Sequence, residues 1–424
     1  MLNRRLVRAT LYLITVLSSV CFLAFFVQPY WLDQWTNTDP DSPDTPVRLD
    51  FEDQFFLPLM AAYRSAAFPS SRLTPAHSFR SGKVPSFLLW SEPLNIDFWL
   101  SQLNHLTRGL CPLPCDFTFN VSQMSSVDAV VVYLRGVSSR DHLLAELAPR
   151  DPTQPWIVSS FEAPPLANSI HHTDYRTLGG IFNRTMLYRR DADVVVPHGF
   201  IVRRDEASLL PKSWHVPPVQ HPGNFHTRKM VVAFISNCHA KSDRLEYIRA
   251  LKKYITVDIF GKCGNLKCGR SLYVNHRYDP TKDRCLKMAG ERYLFYLAFE
   301  NSLCTDYVTE KLYNLMYYPM VPVVLGAANY SAAMPPNSYI DARQYTPREL
   351  ATKLKVLARN PQKYQKYLAW RQYYQPSTIG GERSLCHLCV RLHDPGFYKH
   401  NVIDDFYDWF VVKSQSTDGH GPCL

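Results

Sequence analysis

The stretch Tyr293–Lys311 has the residue types and spacing of a binding site for an anion. An apolar run, YLFYLAF, is typical of a buried strand, and Glu300, Asn301 and Ser302 follow its end. Open α/β sheets bind their ligands at the carboxyl ends of their strands. The residues up to Lys311 should then start a helix, whose N-terminus favours anions. From spacing alone, Thr309 as a helix cap followed by two solvated charges is an equally good interpretation.

A second acidic group has the spacing of a metal site. Asp191-Ala192-Asp193 satisfies the D-x-D pattern by which metal-dependent (GT-A) glycosyltransferases hold Mn²⁺. In such sites the apolar strand precedes the carboxylates, whereas here the apolar run Val194–Val196 follows them. We therefore expect these carboxylates to cap or to pair with Arg189 or Arg190, and we predict no metal site.

Short β-branched and aromatic runs alternate with helix-period stretches from Val84 onward. Several runs are apolar on both faces, which indicates strands buried in parallel sheets covered by helices. The predicted strands are Phe87–Trp90, Val127–Leu134, Trp156–Ser160, Asp193–Val196, Met230–Ser236, Thr256–Phe260, Tyr293–Phe299 and Val321–Leu325. The predicted helices are Asp243–Tyr254, Thr309–Tyr317 and Pro347–Arg359, which opens with a capping-box spacing. Tyr364–Tyr374 is predicted to be a C-terminal helix with a buried aromatic stripe rather than a sugar-stacking surface.

This alternation predicts an α/β protein with doubly wound parallel sheets. The proline-rich stretch Pro211–Pro222 interrupts the rhythm. We therefore predict two Rossmann-like domains facing each other across a cleft. The predicted organisation is a cytosolic tail (1–8), a transmembrane anchor (9–27), a stem (28–83), an N-terminal domain (84–220), a C-terminal domain (221–375) and a C-terminal tail (376–424).

Composition and charge exclude several classes of protein. The 424 residues are 46% hydrophobic and 20% charged, which excludes a mostly disordered chain. The net charge of +10 is spread along the chain, and it suits a negatively charged small substrate such as a nucleotide sugar. No zinc-finger spacing accompanies this charge, so nucleic acid is not an expected partner. The protease, kinase and lipase motifs H-E-x-x-H, P-loop and G-x-S-x-G are absent.

The N-terminal region predicts a single-pass membrane protein. Ala9–Val27 is nineteen residues without a charge, about the length that crosses the bilayer hydrocarbon. Arginines precede this run and aspartates follow it, so the positive-inside rule places the N-terminus in the cytosol and the body on the lumenal side. A cleaved signal peptide is the alternative, but the run is long and no clear cleavage site ends it.

Sequons and cysteines agree with a lumenal body. Three N-x-[ST] sequons follow the anchor, at Asn120, Asn183 and Asn329, and ten of the eleven cysteines lie there too.

Two cysteine pairs also have spacings that zinc would accept, with His387 and His393 near the first. These pairs are Cys386-x₂-Cys389 and Cys263-x₄-Cys268. An oxidising lumen favours disulfides over zinc. The spacing leaves the connectivity open, and Cys423 is expected to be a candidate free thiol.

Three strings closely resemble the α1,3-fucosyltransferase motif of glycosyltransferase family 10. They are Phe295–Ser302 (FYLAFENS), Asp306–Lys311 (DYVTEK) and Val321–Gly326 (VPVVLG). Further strings of the same resemblance are Phe161–Pro164 (FEAP), Asn183–Asp191, Val196–Gly199 (VPHG), Phe234–Asn237 (FISN) and Val257–Gly261 (VDIFG). The resemblance runs in order from about Trp156 to Ile340. The predicted membrane topology is similar to that of Golgi members of the family, and the Cys-Gly-x₃-Cys pattern at Cys263–Cys268 is similar to invertebrate and core-modifying members.

The resemblance implies a GT-B fold that uses GDP-β-L-fucose and inverts the anomeric centre. Carried over by position, the residues that hold the nucleotide and the fucose are Arg244, Asn301, Tyr307, Glu310 and Lys311. Cations beside the phosphates would stabilise the charge that develops on the leaving GDP. On this basis domain 84–220 is the acceptor side and domain 221–375 is the donor side.

Inversion also needs a base that removes the proton of the acceptor hydroxyl. Glu162 occupies the family's Glu position in FEAP and is assigned as this base; the alternative is a solvated or merely supporting carboxylate. Ala163 stands where members usually have Ser, and His198 where a Tyr is often seen. Both departures lie on the acceptor side, so acceptor preference is the property that they place in doubt.

The resemblance also implies that Cys111 and Cys115 pair with Cys386 and Cys389.

From the resemblance and the membrane topology we predict a Golgi type II membrane fucosyltransferase that transfers fucose to a GlcNAc hydroxyl, O3, of glycoprotein or glycolipid glycans. No cofactor is expected to be required; Mn²⁺ could stimulate but is not expected to be essential. The alternatives are a catalytically inactive, lectin-like membrane protein on the same scaffold and a GT-A transferase that uses Asp191 and Asp193. The sequence leaves the acceptor and the oligomeric state open.

Overall fold

The structure is a computed structural model of the chain. It describes residues 84–90, 103, 111, 113–167, 169, 171–204, 225–269, 273–274, 277–377, 380–415 and 423. These residues belong to one compact unit, Arg48–Leu424. The predicted cytosolic tail, anchor, stem and proline-rich boundary lie outside the described residues. Within the described ranges, no helix combines the length and the apolar character needed to cross a membrane.

The first sheet contains six parallel strands in the order β2-β1-β3-β4-β5-β6. Its strands are β1 (Ser86–Trp90), β2 (Asp116–Thr118), β3 (Ala129–Tyr133), β4 (Trp156–Ser160), β5 (Arg184–Leu187) and β6 (Val194–Val195). The central strands β3, β4 and β5 are buried along their whole length. Such strands lie inside a sheet that is covered on both faces.

The second sheet contains five parallel strands in the order β14-β13-β12-β8-β9. Its strands are β8 (Lys229–Phe234), β9 (Val257–Phe260), β12 (Tyr293–Phe299), β13 (Val321–Leu325) and β14 (Ile340–Asp341). Two small antiparallel pairs lie outside the sheets. They are β10 (Tyr273–Val274) with β11 (Arg277–Tyr278), and β7 (Phe200–Arg203) with β15 (Tyr374–Ser377).

Both sheets share one strand order. When the strands of each sheet are numbered from their own N-terminus, both read 2-1-3-4-5, and the first sheet adds a sixth strand at its edge. This is a doubly wound order, as the alternation of strands and helices predicts, and it is the flavodoxin-like variant of that order. The ligand-binding switch point of such a sheet lies between its strands 1 and 3, at their carboxyl ends. In the second sheet these are β8 and β12.

Helices cover both faces of the second sheet. In the described ranges the α-helices are α1 (Arg140–Glu146), α2 (Pro164–Ala167), α3 (Arg244–Lys252), α4 (Arg284–Arg292), α5 (Glu310–Tyr313), α6 (Tyr330–Ala333), α7 (Pro347–Ala358), α8 (Pro361–Lys366) and α9 (Gly380–Leu392). Ile248 of α3 and Leu350 of α7 pack on one face, whereas Leu286 of α4 and Leu312 of α5 pack on the other. The capping box of α7 is present, as its sequence predicts.

The predicted helix Tyr364–Tyr374 is wrong as a continuous element. The chain forms α8, a 3-10 turn at Ala369–Gln372 and then β15, which pairs with β7. Pro376 lies inside β15, and a proline disfavours helical backbone in the residue before it, which suits the extended chain after Tyr374. Tyr364, Trp370 and Tyr374 are buried, as expected, but they enter the core from α8, the turn and the strand respectively.

After β15 the chain returns to the first sheet and covers both of its faces. Leu385 and Leu388 of α9 pack against one face, together with Phe397. Phe406 and Phe410 pack against the other face. The core of the first sheet is therefore completed by the last forty or so residues of the chain.

Two disulfides link this C-terminal segment to the N-terminal part of the chain. Cys111 is bonded to Cys386 and Cys115 to Cys389, across 275 and 274 residues of sequence. Bonded cysteines offer no thiolate to zinc, so the zinc alternative for this pair is wrong.

The other disulfides are Cys238–Cys263, Cys268–Cys285 and Cys304–Cys423. Cys263 and Cys268 are therefore each bonded, but not to one another. The expectation that Cys423 is free is wrong, because its completely buried side chain reaches Cys304 in an apolar cluster.

Candidate active site

Side chains that follow the two sheets meet at one junction. Glu162 comes directly after β4 of the first sheet, and Tyr307 lies in the loop after β12 of the second. The Tyr307 hydroxyl donates a hydrogen bond of 2.6 Å to the Glu162 carboxylate, across 145 residues of sequence. The structure therefore brings the residue predicted to be the base against a residue predicted to hold the donor. We call Glu162, His198, Tyr307, Glu310 and Lys311 the inter-sheet junction.

A local turn holds the backbone of Glu162. The Glu162 N–H donates to the Ser160 hydroxyl at 3.1 Å, and that hydroxyl donates to the Glu162 carbonyl at 2.9 Å. The next side chain, Ala163, is completely buried in a cluster with Tyr307 and the disulfide of Cys423. A serine at this position would bury a hydroxyl among apolar groups, which costs about 1–3 kcal/mol unless it finds a partner. This environment explains the alanine.

Tyr307 is buried and is held by aromatic rings. Its side chain is 1% exposed, and its ring makes edge contacts with Tyr188 and His198 at centroid distances of 5.0 and 5.9 Å. Burial and, next, the nearby Glu162 carboxylate raise the pKa of Tyr307 well above its usual value. The phenol therefore stays protonated, and it is the donor in its hydrogen bond to Glu162.

Lys311 lies at the start of α5, where Thr309 is the N-cap. The Lys311 ammonium donates to the Thr309 hydroxyl at 2.8 Å, and it lies 3.5 Å from Glu300 and 3.3 Å from Glu310. Burial acts to lower the pKa of Lys311, but the two carboxylates outweigh it and the pKa is raised. The lysine therefore remains a cation.

Glu300 is the buried anchor of this cation. Its side chain is 1% exposed, and it accepts a hydrogen bond of 2.8 Å from the Thr309 N–H. Burial raises the pKa of Glu300, and Lys311 acts against that shift. Its position after β12 predicts a place at the ligand-binding edge of the sheet, but no sequence pattern predicts its pairing with Lys311.

Glu310 is the accessible carboxylate of the junction. About half of its side chain is exposed, and Lys311 and His198 flank it. Desolvation by the surrounding protein acts to raise the pKa of Glu310. Lys311 and, next, His198 outweigh this effect, so the pKa is lowered. An ionised carboxylate with free access is suited to accept hydrogen bonds from sugar hydroxyls.

Arg244 and Asn301 lie at the switch point of the second sheet. Arg244 is 2% exposed and donates to the carbonyls of Phe299, at 2.7 Å, and Asn237, at 3.1 Å. It therefore joins the ends of β12 and β8, and burial lowers its pKa. Within the described residues, the Arg244 Nε and the Asn301 side-chain carbonyl are buried without a hydrogen-bond partner. Both atoms are enclosed by the surrounding protein at this edge of the sheet.

The carboxylates of the D-x-D sequence are hydrogen-bonded to neighbouring protein groups beside the first sheet. Asp191 pairs with Arg189 through two hydrogen bonds, and Asp193 accepts from the N–H and the hydroxyl of Thr185 at 2.8 and 2.9 Å. These contacts are the pairing and capping that the sequence predicted as the alternative to metal. In the described part of the chain, no group of three or more His, Cys, Asp or Glu side chains is arranged to hold a metal ion.

The three sequons differ in access. The Asn120 and Asn329 side chains are exposed at helix starts. Asn183 is 7% exposed, and its amide donates to the Asn401 carbonyl at 2.7 Å and accepts from Arg150 at 2.7 Å. The fold leaves no room for a glycan at Asn183, so this candidate is not supported.

Comparison with protein families gives the class. Residues 225–409 match glycosyltransferase family 10 (fucosyltransferase), C-terminal part, and residues 82–199 match the fucosyltransferase N-terminal family. Together these matches span more than half of the chain. The chain therefore belongs to the glycosyltransferase family 10 fucosyltransferases, and the protein is a glycosyltransferase.

Individual proteins are also similar. Alpha-(1,3)-fucosyltransferase C of Drosophila melanogaster is 33% identical over 77% of this chain and 77% of its own length. The Bos taurus 3-galactosyl-N-acetylglucosaminide 4-alpha-L-fucosyltransferase FUT3 is 32% identical over 76% of this chain and 81% of its own. A crystal structure of an α1,3-fucosyltransferase with GDP-fucose aligns with 82% of this chain and 100% of that chain, at 16% identity and a TM-score of 0.47.

Proposed function

We propose that the protein is an inverting α1,3-fucosyltransferase that transfers L-fucose from GDP-β-L-fucose to a GlcNAc hydroxyl, O3, of a glycoprotein or glycolipid glycan. Its family and the name of its Drosophila relative support this assignment. The observation that carries it is the 2.6 Å contact between Glu162 and Tyr307, because it unites the proposed base with the proposed donor site.

The nucleotide would bind at the carboxyl ends of β8 and β12. Arg244 and Asn301 line this edge, and Lys311 lies at the nearby start of α5. The fixed cations would stabilise the charge on the departing diphosphate more in the transition state than in the ground state. Glu310, which is accessible from solvent, would accept hydrogen bonds from the fucose hydroxyls.

Glu162 would act on the acceptor. As the acceptor oxygen attacks the anomeric carbon, the bond from that carbon to GDP breaks on the opposite face, and the acceptor proton passes to the Glu162 carboxylate. The β-linked fucose thereby becomes an α-linked fucoside. Tyr307 donates to one carboxylate oxygen, which leaves the other oxygen for the incoming proton.

The same proposal includes the architecture and the location. We infer a GT-B arrangement in which the two sheets face each other across a cleft, with the acceptor on the first sheet and the donor on the second. Residues 9–27 would anchor the protein in the Golgi membrane, and 28–83 would hold its body in the lumen. An inactive lectin-like protein on this scaffold has no observation in its favour, because the base and the donor residues are present together.

The direct test is to incubate the lumenal part, residues 28–424, with GDP-fucose and a panel of defined glycans. Mapping the added sugar by mass spectrometry and NMR should locate α-linked fucose on O3 of GlcNAc. Fucose on O4 would contradict the linkage, and GDP-fucose binding without transfer would support an inactive protein.

Transferase activity should survive EDTA. If EDTA and the Asp193→Ala substitution abolish the activity but Lys311→Ala does not, the metal-dependent alternative is favoured.

A further inference from the structure

His198 touches both sides of the inter-sheet junction. It follows β6 of the first sheet, and its side chain is 14% exposed. Its Nε2 lies 2.7 Å from the carbonyl of Phe161, the residue before Glu162. Its Nδ1 lies 3.6 Å from the Glu310 carboxylate. One imidazole thus contacts the backbone of the proposed base and the carboxylate proposed to meet the fucose.

The contacts fix the roles of the two ring nitrogens. A carbonyl oxygen can only accept, so Nε2 carries the proton that is shared with Phe161. Nδ1 is then the nitrogen that faces Glu310, and because a carboxylate also only accepts, it is the imidazolium form of His198, with a proton on each nitrogen, that pairs with Glu310. The ring also stands edge-on to Tyr307, at an interplanar angle of 84°, which limits its rotation. Each nitrogen therefore has one partner, and the partners belong to different sheets.

Close packing next to His198 keeps the ring in place. A Cβ added to Gly199 would come within 2.4 Å of the Tyr313 ring on α5. The backbone after His198 therefore lies directly against the helix that carries Glu310 and Lys311. Only a residue without a side chain permits this approach, so the distance from His198 to Glu310 is set by the fold.

We propose that His198 is a positioning residue that holds the Glu162 backbone through Nε2 and the Glu310 carboxylate through Nδ1. This inference rests on the proposed function, because it assigns one contact to the acceptor step and the other to the donor. The Nε2 contact should therefore affect turnover, whereas the Nδ1 contact should affect the binding of GDP-fucose. Substitutions of a residue that only stabilised the fold would not change turnover and the binding of GDP-fucose independently of each other.

Two amide substitutions separate the contacts, because the glutamine amide reaches the position of Nε2 and the asparagine amide that of Nδ1. His198→Gln should keep kcat within about twofold and raise the KM for GDP-fucose about three- to fivefold, the effect of one lost, partly exposed ion pair. His198→Asn should do the reverse. His198→Leu should lose both. Equal changes in kcat and KM for the two amide variants, or normal kinetics for His198→Leu, would overturn the proposal.

His393 provides a matched control. Its Nε2 lies 2.8 Å from the Pro114 carbonyl, so it also joins distant segments, but it lies beside the first sheet and outside the junction. His393→Gln should lower the melting temperature without changing either kinetic constant. If His198→Leu does not fold, the two amide variants still decide the question.

Glu162→Gln separates this inference from the proposed function. If Glu162→Gln retains full turnover, the proposed function itself is wrong. If Glu162→Gln loses turnover while the His198 variants show no separation of kcat from KM, only the role of His198 is wrong.

Discussion

The Glu162 carboxylate receives one proton donor from across the inter-sheet junction, the Tyr307 hydroxyl. Glu162→Ala should lower turnover by at least ~10², in the range of a positioned base. GDP affinity should be nearly unchanged, because Glu162 follows the first sheet and not the strand ends that would hold the nucleotide. Steady-state kinetics and a GDP titration measure both. A parallel fall in GDP affinity would contradict the assignment, and Glu246→Ala, at an exposed position of α3, is the matched control.

The Lys311 cation neutralises a carboxylate that is almost fully buried. Lys311→Ala should weaken GDP binding about tenfold or more and also lower the melting temperature, because Glu300 is left without its cation. The double variant Lys311→Ala, Glu300→Gln should recover the melting temperature but not the GDP affinity. Calorimetry and titration distinguish these effects. Full recovery of both would show that Lys311 acts only through stability; Lys282→Ala, at an exposed pair, is the control.

The sequons give a prediction about the surface. We expect glycans at Asn120 and Asn329, and none at Asn183, whose side chain is hydrogen-bonded inside the fold. The mass of the secreted lumenal part should therefore fall with Asn120→Gln and with Asn329→Gln, and stay constant with Asn183→Gln. Asn183→Gln should instead lower the melting temperature. A glycopeptide that contains Asn183 would show that this region folds differently.

At the scale of elements, α9 contains a buried histidine. Burial and, next, Arg391 lower the pKa of His387 from 6.5 to about 4. The unfolded chain therefore binds a proton near pH 6.5 that the folded chain does not bind until about pH 4. Stability present above pH 6.5 is lost as the pH falls toward 4, by up to about 3 kcal/mol.

His387→Gln, which cannot take this charge, should flatten the fall of the melting temperature between pH 6.5 and 4. Thermal unfolding of both proteins across this range measures the difference. The matched control is His142→Gln, at an exposed histidine on α1. Parallel pH profiles for the native and His387→Gln proteins would contradict the prediction.

The apolar runs predicted most of the strands, because burial on both faces leaves a continuous hydrophobic signal. The bounds of β4, β12 and β13 agree with their predictions. The strand β5 was missed because it begins with Arg184, a polar residue that is nevertheless buried. Arg184 donates to the carbonyls of Phe397 and Lys399, more than 200 residues away. Because these partners are distant in sequence, no local pattern indicates that Arg184 can be buried in a strand.

The sequence likewise predicted the positions of the candidate site residues, but not their side-chain contacts. Positions at strand ends and the family strings indicated Glu162 and the residues after β12. The strings could not give the contacts of His198, because those depend on how closely the two sheets approach. Arg244 was expected as a ligand-facing group, yet its guanidinium is buried and joins two strand ends. Sequence position thus located the edge but not the orientation of each side chain.

At the scale of the whole molecule, two disulfides close nearly the same long loop. In the chain-entropy model, each bond alone would contribute about 5–6 kcal/mol, but with one present the second closes only a small ring worth about 2–3 kcal/mol. Removing Cys111–Cys386 by alanine substitution should therefore cost about 2–3 kcal/mol.

Removing Cys111–Cys386 and Cys115–Cys389 together should cost about 8 kcal/mol, more than the sum of the single losses. Denaturant unfolding of the single and double cysteine-pair variants tests this cooperativity. Strictly additive losses would contradict it. Removal of Cys238–Cys263, which spans 25 residues, provides the control.

The return of the chain to the first sheet has a consequence for biosynthesis. Both faces of that sheet remain incompletely covered until Leu385, Phe397, Phe406 and Phe410 have left the ribosome and the translocon. During translation the N-terminal half is therefore an unfinished hydrophobic surface that chaperones must protect. A premature stop between β14 and α9 should yield a polypeptide retained by quality control, even though it would still contain every strand of the second sheet.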